Sequence, residues 1–219
     1  MGSTLLVIGI DEAGRGPLIG DMFVAAVGLH SNDLKVLEDA GVDDSKRLSP
    51  SLRFKLFNII IGYSRYIFIK RFTPDVIDSN NINSLFIDAL ISAIKTAYAL
   101  GFKPSIIYVD STSNREKIIN CLQNVVCDGT TLVVEYKADQ KYIAVAAASI
   151  IAKVLRDSYI SHLRGIYGDF GSGYPSDPTT IEWVEDYFRS SKALPPIVRK
   201  SWRTVKRFRG SQKSLEDYR

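Results

Sequence analysis

Apolar positions in this chain alternate between two textures, short β-branched runs and longer stretches with helical spacing. Residues 4–10 (TLLVIGI) form an unbroken apolar run, which predicts a buried strand ending at the turn-rich Asp11-Glu12-Ala13-Gly14-Arg15-Gly16-Pro17. Residues 22–29 (MFVAAVGL) predict a second strand. Residues 63–72 alternate, with Tyr66, Phe68 and Lys70 on one face and Ile67, Ile69 and Arg71 on the other. The runs at 105–109 (SIIYV) and 131–136 (TLVVEY) complete five strands.

Helical spacing fills the intervals. Ser49-Pro50 is a cap followed by a first-turn proline, so a helix is predicted over 51–60. Residues 82–100 place Leu85, Phe86, Ala89, Leu90, Ala93, Ile94 and Ala97 at i, i+3, i+4 spacing before Gly101. A shorter helix is predicted over 114–122. A long one follows over 140–167, whose Ala-rich stretch 144–152 suits a close crossing over another surface. After Gly168 the texture becomes Gly-Ser-Gly-Tyr-Pro-Ser-Asp-Pro, then a helix at 179–190 and Pro195-Pro196. Two units are expected, 1–170 and a C-terminal helical unit 171–219, with the boundary within 170–177. Trp183 and Trp202 are expected to pack the second.

Composition narrows the class. The 219 residues are 46% hydrophobic and 24% charged, which is globular and excludes disorder and fibrous repeats. No apolar run is long enough to span a bilayer, and no basic residue precedes 5–10, so neither a membrane protein nor a secretory leader is expected. Two cysteines supply neither a disulfide framework nor a four-ligand zinc site, which favours a cytoplasmic protein. Eight basic and two acidic residues give 197–219 a net +6, leaving −2 on the other 196 residues. That asymmetry fits a polyanion partner or, equally, a solvated tail.

Three acids sit at element ends. Asp11 follows the first strand, Asp110 the fourth, and Asp139 lies between the fifth strand and the long helix. If strands one and four are parallel neighbours, Asp11 and Asp110 emerge at one carboxyl edge, where open α/β sheets place their sites. Such a cluster repels itself unless a cation neutralises it, and hard oxygen ligands select Mg²⁺ or Mn²⁺. The alternative is that each acid caps a helix, which suits Asp139 best. Glu12 joins Asp11 in one site if the strand ends at Asp11 and the following turn re-aims it. Gly14-Arg15-Gly16 admits close approach of backbone to phosphate, although for a lone GxG an ordinary turn is the better reading. Asp44-Ser45-Lys46-Arg47 offers donors for phosphate or a solvated loop. Lys153 and Asp157 are spaced as a helix ion pair, and His30 and His162 stand isolated.

Six segments in this order, GIDEAGRGPLIGDM, DSKRLSP, YVDS, KADQKYIAVAAASIIAKVLRD, GSGYPSD and PPIVRKSW, span residues 9–202. Together they resemble ribonuclease HII, the single-chain type 2 ribonuclease H, most closely its archaeal branch. The resemblance implies an α/β ribonuclease H-like fold, a mixed five-stranded sheet flanked by helices with a helical C-terminal subdomain. It implies cleavage of the RNA strand of RNA/DNA hybrids and incision at ribonucleotides embedded in duplex DNA. It places the family's four metal-binding acids on Asp11, Glu12, Asp110 and Asp139, and its substrate contacts on Gly14, Arg15, Gly16, Lys46 and Tyr174. Two Mg²⁺ or Mn²⁺ ions would then act on a water, leaving 5′-phosphate and 3′-hydroxyl ends. Gln140 departs from relatives that carry a second acid after the matched aspartate. Nothing beyond Phe208 matches, no clamp-binding peptide is visible near Arg219, and a monomer is expected. A DNA-only nuclease of the same fold would have no use for Gly-Arg-Gly with Tyr174. A non-catalytic nucleic-acid module would not gather four acids at one edge, where they repel phosphate.

Overall fold

The computed structural model describes residues 5–43, 48–111 and 114–206. Lys46 with its turn and the tail from 207 onward lie outside these residues. In chain order the elements are β1 (Leu6–Ala13), β2 (Met22–His30), α1 (Ser31–Asp39), α2 (Pro50–Tyr63), β3 (Tyr66–Phe72), α3 (Pro74–Ser79) and α4 (Ile82–Ala99). They continue as β4 (Ile106–Asp110), α5 (Arg115–Leu122), β5 (Thr131–Glu135), a 3₁₀ turn (Ala138–Gln140), α6 (Ile143–Tyr167) and α7 (Pro178–Ser191).

The strands form one mixed sheet in the order β3-β2-β1-β4-β5. β2 is antiparallel to both β1 and β3, whereas β4 runs parallel to β1 and to β5. The register Val7↔Ile106 through Ile10↔Val109 brings Asp11 and Asp110 out side by side at the carboxyl edge.

Side-chain alternation along β1 sorts two cores. Ile8 and Ile10 join Phe86, Leu90 and Ile94 of α4 on one face; Val7 and Ala13 join Leu37, Leu56 and Ile60 of α1 and α2, with Ala147, Ile150 and Ile151 of α6, on the other. Gly9 points at α6, where an added Cβ would sit 2.0 Å from the Ala144 carbonyl oxygen. The Ala-rich stretch therefore crosses the sheet at close range, as its composition suggests. A third cluster joins Leu18, Ile19, Ile160 and Leu163 to Phe170, Val184, Ile197 and Val205, with both Trp183 and Trp202 packed against it.

Three features depart from the sequence reading. β1 runs on through Ala13 instead of stopping at the turn, because β2 extends far enough to pair with it (Ala13↔Phe23). α1 was not anticipated; six of its nine residues are charged or polar, and it lacks a side-chain cap. α3 was missed too, although Thr73-Pro74 puts a proline in its first turn.

Candidate active site

Asp11, Glu12 and Asp110 line one cavity of about 460 Å³ together with Gly14, Arg15, Gly16 and Tyr174. All three acids are buried. With β1 continuing past Asp11, Glu12 is not re-aimed by a turn. Alternation instead sends Asp11 to the α6 face and Glu12 to the α4 face, and the cavity reaches both at the strand end beyond the last β4 pairing, Ile10↔Val109.

Their partners follow that division. Asp11 accepts from the Ser149 hydroxyl on α6, has Lys153 nearby, and takes the Glu12 backbone N–H on Oδ1 at 2.7 Å. Glu12 Oε1 pairs with Arg15 Nη1 at 3.2 Å, and Arg15 reaches on to Asn83 Oδ1 at the start of α4. Asp110 Oδ1 accepts the Ala138 backbone N–H at 2.7 Å. Lys137, just before, holds a left-handed φ of 55° despite its side chain, so that turn is held in a sparsely populated conformation.

Burial raises the Asp11 carboxyl well above its ordinary pKa, the charges of Glu12 and Asp110 raise it further, and Ser149 and Lys153 oppose the rise. The arrangement is costly without a cation, and its all-oxygen donors fit Mg²⁺ or Mn²⁺. Among the described residues, no three acidic, imidazole or thiol side chains stand close enough as placed to share one ion.

Asp139 is buried but borders a neighbouring cavity with Glu38, Val42, Leu48 and Tyr142. It does not cap α6, whose N-cap is Tyr142 with no side-chain bond. Asp110 does not supply the cap of α5, which is Asn114. Asp139 is joined to the first group through Ala138.

The same cavity also has a basic lining. Arg53, Lys153 and Arg156 line the cavity, and of these the sequence reading singled out only Lys153, as half of an ion pair with Asp157. Lys153 Nζ donates to Ser149 Oγ at 2.9 Å, and Asp157 is bridged by Arg53 Nη2 at 2.9 Å and Arg156 Nη1 at 3.3 Å. Ser149, Lys153 and Arg156 are spaced i, i+4, i+7, one helical face legible in the sequence; Arg53 arrives on α2 from about a hundred residues away. Tyr174 is 39% exposed, 5.3 Å from the Arg156 guanidinium, with its Cε1 3.8 Å from where a Cβ on Gly16 would lie. Its loop is fixed by Leu18 and Ile19, whose N–H groups both donate to the Gly173 carbonyl.

A family model described as Ribonuclease HII matches residues 8–205. The ribonuclease HII of Sulfurisphaera tokodaii is 45% identical over 202 residues, covering 92% of this chain and 94% of that one. The crystal structure of the ribonuclease H2 from Pyrococcus horikoshii OT3 superposes with a TM-score of 0.88 at 39% identity, covering 95% of this chain and 99% of that one. The ribonuclease HII in the PCNA complex from Archaeoglobus fulgidus gives 0.80 at 38% identity, covering 93% and 96%.

Proposed function

This chain belongs to the ribonuclease HII family, and from that premise we propose that it incises duplex DNA at embedded ribonucleotides as well as cleaving the RNA strand of RNA/DNA hybrids. The observation that carries the reading is one cavity lined by Asp11, Glu12 and Asp110 together with Gly14-Arg15-Gly16 and Tyr174. Acids alone would repel a nucleic-acid backbone. Set against Arg53, Lys153 and Arg156, they leave a channel that accepts a phosphodiester once a cation is bound.

In this proposal Asp11, Glu12, Asp110 and Asp139 hold two Mg²⁺ or Mn²⁺ ions. A bound pair of such ions would supply an activated water, charge neutralisation at the scissile phosphate and support for the departing 3′-oxygen. The chain's own residues do the rest. Ser149 and Lys153 hold Asp11 toward its carboxylate form by hydrogen bond and charge. The Gly14-Arg15-Gly16 backbone meets the ribose 2′-hydroxyl, the only group separating RNA from DNA there. Tyr174 covers the next sugar, and Lys46 takes a neighbouring phosphate. Water is the nucleophile, so the ends are 5′-phosphate and 3′-hydroxyl.

Residues 171–219 act as the substrate-holding unit, with the basic tail tracking the backbone of a monomeric, cytoplasmic enzyme. The Archaeoglobus fulgidus relative was solved with PCNA, which makes a sliding clamp a candidate partner. The test is incubation of the full chain with a DNA duplex carrying one ribonucleotide and with an all-DNA control, with and without Mg²⁺ or Mn²⁺. Metal-dependent nicking at the ribonucleotide, leaving those ends, is expected. Nicking of the control, or none of either duplex, contradicts the proposal.

A further inference from the structure

Arg199 has the largest side chain among those fully shielded from water, at 0% exposure. Among the described residues it makes no ion pair with a carboxylate. Burying a guanidinium this way is costly, and an apolar side chain of similar volume would fill the space at less expense. Its donors go to the loop after β1: Nε to the Gly20 carbonyl at 2.9 Å, Nη1 to the Arg15 carbonyl at 2.8 Å and Nη2 to the Gly14 carbonyl. Burial lowers its pKa to about 10, so it stays charged at neutral pH.

The consequence lies in the peptide plane. In a trans peptide the C=O of one residue and the N–H of the next point in opposite directions. Turning the Gly14 and Arg15 carbonyls onto Arg199 therefore aims the N–H groups of Arg15 and Gly16 away from it. Gly14, Arg15 and Gly16 line the cavity, and Arg199 does not. Two successive N–H groups aimed that way form a small concavity for an oxygen, and a cation on the carbonyl side strengthens each as a donor. The backbone accepts this shape because Gly14 has φ +86° and no Cβ, which would otherwise stand 2.5 Å from the Asp21 carbonyl oxygen.

We propose that Arg199 is a positioning residue for ribonucleotide recognition: from behind the Gly14-Arg15-Gly16 turn it sets the two N–H groups that receive the ribose 2′-hydroxyl. The inference rests on the function proposed above and adds the device that holds its recognition loop. Arg199 is itself held by its chain neighbours. Its N–H donates to the Leu18 carbonyl, Ile19 bridges Val198, and the Lys200 and Ser201 N–H groups donate to Asp78 Oδ2 and Oδ1 at 2.7 and 2.8 Å. The C-terminal segment thus reaches the recognition loop through Arg199, and Trp202 adds a donor from Nε1 to the Gly16 carbonyl at 3.3 Å.

The test measures binding without turnover: Kd of the full chain, in Ca²⁺, for a duplex with one ribonucleotide and for the same sequence in DNA. Two variants are compared with wild type. Arg199→Lys keeps the charge but cannot span three carbonyls, and Asp78→Ala loosens the segment without touching Arg199. Arg199→Lys should lose about tenfold of the preference for the ribonucleotide duplex, the scale of a charge-assisted hydrogen bond, with all-DNA affinity unchanged. Asp78→Ala should lose less in the same direction. An unchanged preference in a folded Arg199→Lys, or equal weakening on both duplexes, overturns the proposal. If Arg199→Lys does not fold, an unchanged preference in Asp78→Ala overturns it. No preference in wild type would instead overturn the assigned recognition role of the Gly14-Arg15-Gly16 turn.

Discussion

The backbone N–H of Ala138 donates to Oδ1 of Asp110 at 2.7 Å, joining the end of β4 to the 3₁₀ turn that carries Asp139. Two acids 29 positions apart in sequence are thereby held by one short link. The left-handed Lys137 lets the chain make the approach.

Close packing of α6 on the sheet leads to the first prediction. Gly9→Ala places a methyl 2.0 Å from the Ala144 carbonyl oxygen, and backbone on both sides leaves no flexible group to yield. Such overpacking costs about 3 kcal/mol. Urea denaturation should show a lower midpoint with an unchanged slope. A midpoint equal to wild type would mean that α6 does not approach β1 this closely.

A second prediction concerns Asp177, the side-chain cap of α7. It also accepts from the Ser172 N–H at 2.6 Å, and these bonds hold its pKa down to about 2. A depressed carboxyl pKa contributes stability that is present above the unfolded value near 4 and disappears as pH falls through about 2. Asp177→Asn should therefore melt below wild type at pH 7, and the gap should close between about pH 4 and pH 2. A gap constant over that range would show that charge plays no part in the cap.

Tyr174 is the subject of a third. If its ring covers the sugar after the ribonucleotide, Tyr174→Ala should lose about tenfold or more on a one-ribonucleotide duplex, the scale of one stacking contact. The loss on a long RNA/DNA hybrid should be much smaller, and Tm should barely change because Tyr174 is 39% exposed. Equal losses on both substrates would leave Tyr174 as a packing residue beside Gly16 and Arg156.

Much of this was legible from local pattern. Apolar runs gave the five strands, and parallel pairing of β1 with β4 placed Asp11 beside Asp110 as their positions after strand runs suggested. What escaped depends on partners distant in sequence. β1 continues to Ala13 only because Phe23 pairs with it. Asp157 turns to Arg53 across 104 residues. Arg199 reads in the sequence as one more cation in a basic segment, yet it is buried on carbonyls as many as 185 residues away. Nothing local distinguishes it from Lys200 beside it. The i, i+4, i+7 row of Ser149, Lys153 and Arg156 was visible, but only the position of α6 over the sheet edge gives it meaning.

The most direct measurement of the central claim, that these acids hold the catalytic metals, uses Asp110→Asn on the one-ribonucleotide duplex. Single-turnover cleavage in Mg²⁺ or Mn²⁺ and Kd for the same duplex are measured side by side. Removing one carboxylate charge should depress metal binding while Arg15, Arg156 and the tail keep their contacts. Cleavage should fall by about a thousandfold or more, roughly 4 kcal/mol of barrier, with Kd within about threefold of wild type. Turnover near the wild-type rate would remove Asp110 from the metal site and contradict the account.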